Sequence, residues 1–154
     1  MEKKTTLLIM ILTKTPFRVS LIGGGSDLPS FYQNHGGAVI SMSIDKYIYI
    51  SLHKKFDKGF RVSYSETENC HSLEHIKHNI VRELIRYSEI IDDLEITSIA
   101  DIPAGSGLGS SSSYAVGLAQ ALIKYKNGTS SKEKLADIAC NIEINILNKP
   151  IGKQ

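Results

Sequence analysis

The run Pro103-Ala-Gly-Ser-Gly-Leu-Gly-Ser-Ser-Ser-Ser113 constrains this chain more than any other feature. Gly105, Gly107 and Gly109 permit backbone angles and close approaches that side chains block. Ser110 to Ser113 then open a helix, whose first N–H groups have no internal partners. The positive end of the helix dipole favours an anion, and triphosphate oxygens suit it. Serine hydroxyls add donors, or an oxygen ligand for Mg2+. No Lys follows the last Gly, so this is not a Walker loop, and G-x-G-x-G is not the dinucleotide fingerprint. A flexible loop with a serine-rich helix cap is the plain alternative.

Around this run the pattern reads as strands first and helices later, which is α+β rather than a regular βαβ alternation. Phe17, Val19 and Leu21 alternate with Arg18 and Ser20, a strand running into Gly23-Gly24-Gly25. Residues 38–52 are rich in Ile, Val and Tyr, and Asp45-Lys46 are placed to bend them into two strands. Phe60 to Tyr64 and Leu94 to Ile99 are further strands. Leu73, Ile76, Ile80, Leu84 and Ile85 mark one face of a helix over about 72–88. The next helix spans about 108–126, with Gly128 to stop it. The last opens on Ser130 and Glu133 in capping-box spacing. Its core face is Leu135, Ile138, Ala139, Ile142 and Ile146, and Pro150 follows its end.

With 154 residues, one domain with a proper core is expected. A formal charge of +2 with scattered lysines, densest at Lys54, Lys55 and Lys58, argues against a nucleic-acid partner. Cys70 and Cys140 form neither a disulfide framework nor a metal cluster, so a reduced, cytoplasmic setting is expected. Leu7 to Leu12 is too short for a signal sequence or a membrane span. Residues 1–12 read as an extension or an added first strand.

Two more places carry chemistry. Glu143 has Ala139, Cys140, Ile146 and Leu147 at helical spacing and no Lys or Arg where a local ion pair would form. It flanks the apolar face, and an unpaired buried charge is costly, so a metal ion would supply the missing partner. Alternatively it points to solvent or meets a distant base. Arg18 lies on the strand that delivers the chain into Gly23-Gly24-Gly25-Ser26-Asp27. Its guanidinium suits a phosphate or carboxylate, and Asp27 can accept two sugar hydroxyls. The same five residues also read as an ordinary turn with an Asp cap. His71, His75 and His78 lie at helical spacing without a carboxylate in a ligand pattern, and read as a solvated helix face.

Taken together, these segments resemble the GHMP kinases (galactokinase, homoserine kinase, mevalonate kinase and relatives). Pro103-Ala-Gly-Ser-Gly-Leu-Gly-Ser-Ser111 matches every fixed position of the family's phosphate motif, and Arg18-Val-Ser-Leu-Ile-Gly23 matches its first motif. Gly24 and Gly25 replace the acidic-His pair of galactokinase-like members, while Asp27 keeps an acidic position. The Gly-rich turn, Gly36-Gly-Ala-Val-Ile40 and Ile44-Asp-Lys-Tyr47 are similar to bacterial heptose 7-phosphate kinases and related fucose kinases. The likeness covers about residues 13–154.

That resemblance implies the family's N-terminal domain, a ribosomal-protein-S5-like two-layer sandwich with a mixed sheet. It also implies an ATP-dependent sugar kinase using Mg2+, with a sugar phosphate as the other small-molecule partner and no membrane or nucleic-acid partner. Pro103, Gly105, Ser106, Gly107, Leu108, Gly109, Ser110, Ser111 and Ser112 would hold the triphosphate. Ser111 and Glu143 would bind the metal, and Arg18 would sit by the transferring phosphate. Gly23, Gly24, Gly25, Ser26, Asp27 and Gly152 would contact the sugar. The most specific expectation is transfer to the anomeric hydroxyl of D-glycero-D-manno-heptose 7-phosphate for surface-polysaccharide precursors. The alternatives are a fucose or hexose kinase, or a noncatalytic nucleotide- or sugar-binding fragment. In sugar kinases of the family a catalytic Asp lies a short way beyond the metal-binding Glu, which here falls just after Gln154. The second domain that closes the cleft is likewise expected beyond that point, so the polypeptide alone is expected to have little kinase activity.

Overall fold

The alternation of Ile48, Ile50 and Leu52 with Tyr49, Ser51 and His53 gives one strand a fully buried face, and the sheet is built around it. The computed structural model describes residues 10–153. In chain order the elements are β1 (Ile11–Ile22), α1 (Pro29–His35), β2 (Ile40–Lys54), β3 (Phe60–Ser63), β4 (Thr67–Cys70), α2 (Asn79–Ser88), β5 (Leu94–Ala100), α3 (Ser110–Tyr125) and α4 (Lys132–Cys140). A 3₁₀ turn, Leu73–His75, precedes α2, and a π-helical turn, Asn141–Ile146, follows α4. The sheet order is β1-β2-β5-β3-β4. Only the β3–β5 pair is parallel, so the sheet is mixed and the architecture is the expected α+β.

Helix α3 packs across β1 and β2, with α2 and α4 on its flanks. The core between the layers holds Phe17, Ile50, Leu52, Val62, Leu84, Ile96, Leu118 and Leu122, all fully buried. Burying such a side chain contributes about 1.5–3 kcal/mol each relative to exposure.

The pairing pattern positions the functional loops. Because β1 and β5 are both antiparallel to β2, they run the same way, and β3 runs with β5. Their C-terminal ends therefore lie at one end of the sheet. The Gly23–Asp27 turn, the Tyr64 corner and the Pro103–Gly109 loop all emerge there.

Several local expectations need correction. Asp45-Lys46 do not break β2: residues 44–46 oppose the single Phe17, a bulge that the long strand absorbs without turning. The outer part of β1 leaves the core, so Leu21 is exposed although it alternates with buried Phe17. The helix expected from residue 72 starts at Asn79, because the 3₁₀ turn comes first; Ile76 is buried from a connector instead. Strand β4 carries no alternating apolar signal. Asn127, not Gly128, takes the left-handed conformation that ends α3, while the Gly128 amide donates to Ile123 O. Ser131 rather than Ser130 caps α4, accepting from the Lys134 amide at 3.2 Å. Ile146 is exposed because the wider π turn rotates it off the core stripe that Leu135, Ile138, Ala139 and Ile142 occupy. Of the segment read as an N-terminal extension, Ile11 and Leu12 belong to β1, and residues 1–9 lie outside the described residues.

Candidate functional site

The glycine-serine loop is held at both ends. Where it leaves β5, the Asp101 amide donates to Tyr47 O, and Asp101 Oδ2 accepts from the Tyr47 amide, both at 2.9 Å. At the far end the Arg18 amide donates to Leu108 O (3.1 Å), and Ser113 Oγ donates to Pro16 O (3.0 Å). Leu108 packs against the core. Gly105, Gly107 and Gly109 all have positive φ. At Gly109, the N-cap of α3, a Cβ would lie 3.1 Å from Arg18 Cζ, so glycine is needed both for its φ of +77 and for the packed guanidinium.

Arg18 lies beneath this loop, Nη1 reaching Gly107 O at 3.4 Å, with Nε buried and unpartnered. The Ser110–Ser112 amides form the first turn of α3 and lack intrahelical acceptors, as any helix start requires. Ser112 Oγ bonds back to Gly109 O. Ser110 Oγ is buried without a hydrogen-bond partner. A buried hydroxyl with no partner costs about 1–3 kcal/mol, and here it sits beside free amides at the dipole's positive end. That arrangement fits a phosphate oxygen.

The π turn delivers Glu143. Its carboxylate is 2% exposed and accepts from Ser111 Oγ, 32 residues away in sequence, in a short contact. Of the alternatives open for Glu143, the structure supplies the distant base rather than an unpaired charge. Lys149 Nζ lies 2.9 Å from Glu143 Oε1 and 3.0 Å from Ser111 Oγ. Lys149 is too far along for ordinary helical spacing. It arrives because the Leu147 amide reaches Ile142 O, the Lys149 amide reaches Glu143 O, and Asn148 turns left-handed. Asn148 followed by Lys149-Pro150 was the available signal, since a residue before proline is driven out of helical conformation.

The turn after β1 stands opposite. Asp27 Oδ1 accepts from the Gly25 amide at 3.0 Å, and Gly152 packs so closely on the Asp27 carboxylate that any side chain at 152 would collide with it. Ser26 Oγ is occupied, lying 2.8 Å from both Gly23 O in the turn and Ala38 O ahead of β2. Arg18, Gly24, Gly25, Asp27 and Gly152 line one cavity of about 500 Å³ together with Gly105, Gly107, Gly109 and Ser110 to Ser112. Lys153, next to Gly152, holds its ammonium 4.4 Å from the Tyr32 ring centre.

A second cavity, about 680 Å³, lies on the other side of the loop. Pro103, Gly105, Ser110 and Ser111 line it, with Tyr64, His78, Tyr114 and Lys149. His78 stacks on Tyr114 with ring centres 4.8 Å apart and meets Tyr64 edge-on. It also caps α2, accepting from the Val81 amide. It is therefore not on the solvated face that the histidine spacing suggests. Burial holds its imidazole below the usual range, the Lys149 charge acting the same way and Glu68 opposing. Glu68 is buried and accepts from the Lys77 and His78 amides and from Tyr64 Oη. Burial would raise its pKa, but these donors win and hold it low. The Tyr64 phenol is pushed up to about 12 by burial and by Glu68. Among the described residues no cluster of three His, Cys, Asp or Glu side chains could hold a metal, so Ser111 and Glu143 would need ligand oxygens to complete a shell. No described helix is long and apolar enough to cross a membrane.

Comparison with known proteins places the chain in a family. A D-glycero-alpha-D-manno-heptose 7-phosphate kinase from Campylobacter jejuni is 31% identical over 86% of this chain and 43% of its own length. A bifunctional fucokinase/GDP-fucose pyrophosphorylase from Arabidopsis thaliana is 25% identical over 83% of the chain and 14% of its own length. The crystal structure of a D-glycero-D-manno-heptose 1-phosphate kinase from Bacteroides thetaiotaomicron superposes with a TM-score of 0.83 at 25% identity, covering 95% of this chain and 51% of that one. The chain thus spans about half, or less, of the length of these relatives. The family model for the GHMP kinases N terminal domain matches residues 74–154. That match spans more than half of the chain, and the mixed five-stranded sheet accords with it: this chain belongs to the GHMP kinases.

Proposed function

We propose that this domain is the nucleotide-binding half of a sugar kinase that transfers the γ-phosphate of ATP to the anomeric hydroxyl of D-glycero-D-manno-heptose 7-phosphate, a step towards surface-polysaccharide precursors. The observation that carries the reading is the loop itself. It separates two cavities and offers both of them free helix amides, the orphaned Ser110 hydroxyl and, on one side, Arg18. A triphosphate lying along Gly105–Ser112 would place its nucleoside in the cavity of Tyr64, His78 and Tyr114 and its terminal phosphate towards Arg18 and Asp27.

The residues then have distinct roles. Amides of Ser110 to Ser112 bind phosphate oxygens, and Arg18 offsets the charge that develops on the transferring group. Asp27, fixed by the Gly25 amide, orients the sugar by accepting from its hydroxyls. Ser111 and Glu143 are the oxygen donors that would hold Mg2+, which when bound supplies positive charge to the triphosphate. Ile22 and its strand partner Ile40 are both exposed large apolar residues, which supports docking of a further domain on that part of the sheet.

A heptose 7-phosphate rather than a free hexose is favoured by the likeness to a heptose 7-phosphate kinase at 31% identity, and Lys153, next in sequence to the cavity-lining Gly152, is the cation we assign to its phosphate. The test is phosphoryl transfer from labelled ATP to the heptose 7-phosphate, free L-fucose and galactose by the full-length enzyme. Phosphorylation of the heptose phosphate at its anomeric oxygen supports the reading; turnover of free fucose alone overturns the acceptor, and no nucleotide-dependent transfer overturns the kinase.

A further inference from the structure

Lys149 lies in the seat that the nucleotide-site reading gives to a divalent cation. Its Nζ is 2.9 Å from Glu143 Oε1 and 3.0 Å from Ser111 Oγ, the two protein oxygens available there. An ammonium and a metal ion cannot both occupy that space. The carboxylate is 2% exposed, and a buried charge without a counter-ion is strongly destabilising. Without nucleotide, Lys149 is thus the cation that offsets the buried Glu143 carboxylate.

Two features make the lysine an exchangeable partner rather than a permanent one. Its side chain is 25% exposed, and it borders the open 680 Å³ cavity, so it has room to withdraw. Its backbone is pinned, by the Lys149 amide on Glu143 O and by Pro150 after it, so withdrawal moves the side chain alone. Lysine suits this duty because its ammonium is a compact point charge on a flexible stem.

We propose that Lys149 is the resident counter-ion of the Ser111–Glu143 pair and that a divalent cation arriving with nucleotide must displace it. Lys149 therefore weakens metal binding and stabilises the metal-free fold. This inference rests on the nucleotide-site reading above, and its test separates the two.

The probe is Mn2+, titrated by electron paramagnetic resonance in saturating nonhydrolysable ATP analogue. Lys149→Met keeps the length and removes the charge; it should tighten Mn2+ binding about tenfold, equal to ~1.4 kcal/mol, while lowering the melting temperature without metal. Lys149→Arg keeps a charge and should not tighten it. In the wild type, the Lys149 ammonium resonance, protected in the free protein, should be lost when the Mg2+–analogue complex binds. This holds as a test even if the methionine variant does not fold. Unchanged or weaker Mn2+ binding in Lys149→Met, or a persisting ammonium signal, overturns the inference. If Glu143→Gln binds Mn2+ as tightly as wild type, the metal-site reading itself is wrong.

Discussion

Ser111, in the first turn of α3, donates its hydroxyl proton to Glu143 in the π turn after α4, so the start of α3 and the turn after α4 meet at one carboxylate. If that carboxylate recruits the metal, removing its charge must show in the metal dependence of nucleotide binding. Glu143→Gln keeps the shape and removes the charge. Calorimetric titration should show the Mg2+-dependent gain in ATP affinity reduced at least about tenfold, on the scale of a lost charged hydrogen bond. Metal-free ATP binding should hold or improve, since one negative charge has left. Equal loss with and without Mg2+ would contradict the assignment.

Gly109 is the residue on which loop and arginine depend together. Alanine there must adopt a left-handed φ against the Arg18 guanidinium. Gly109→Ala should lower unfolding stability by about 1–2 kcal/mol and weaken ATP binding as well. Urea unfolding and titration of the same variant check both effects. Ser110→Ala removes an unpartnered buried hydroxyl and should leave stability unchanged or raised while weakening nucleotide binding.

Acid sensitivity should come from the cluster behind the second cavity. His78 is held below its ordinary 6.5, chiefly by burial. As pH falls through 6.5 the unfolded chain takes up a proton that folded His78 resists, so stability falls with pH in that window. Glu68, held below 4.5 by its amide and phenol donors against burial, adds a second loss below that value. Urea midpoints between pH 7.5 and 4 should fall in both windows. His78→Asn, which keeps an N-cap side chain, should flatten the upper window alone.

Lys153→Ala tests the acceptor. With the full-length enzyme, KM for a sugar phosphate should rise about tenfold or more, the scale of a charged hydrogen bond to phosphate, while KM for ATP is unchanged. An equal rise for free fucose would remove the argument for a phosphorylated sugar.

Much of this site was legible because its signals are local. The glycines and serines of residues 105–113, the strand carrying Arg18 and the turn at Asp27 each announce themselves within a few residues. Glu143 was recognisable as an anomaly, but not its partner. A π turn shifts every later residue, so helical spacing could not bring Lys149 back to it, and only Asn148 and Pro150 hinted at the reversal. His78 was unreadable for a different reason. Its stacking on Tyr114 and its tie to Glu68 arise from contacts between α2, α3 and the β3–β4 corner, which no local pattern encodes. The continuous β2 similarly depends on a bulge facing Phe17, a property of the pair rather than of either strand.

That residues 105–112 cradle the triphosphate of a nucleotide is tested most directly by backbone amide NMR of the 154-residue domain, titrated with Mg2+–ATP. The largest shifts should fall on Gly105 to Ser112, with smaller ones at Arg18 and Lys149. Saturable shifts centred elsewhere, or none on the loop at millimolar nucleotide, would contradict a triphosphate seat there.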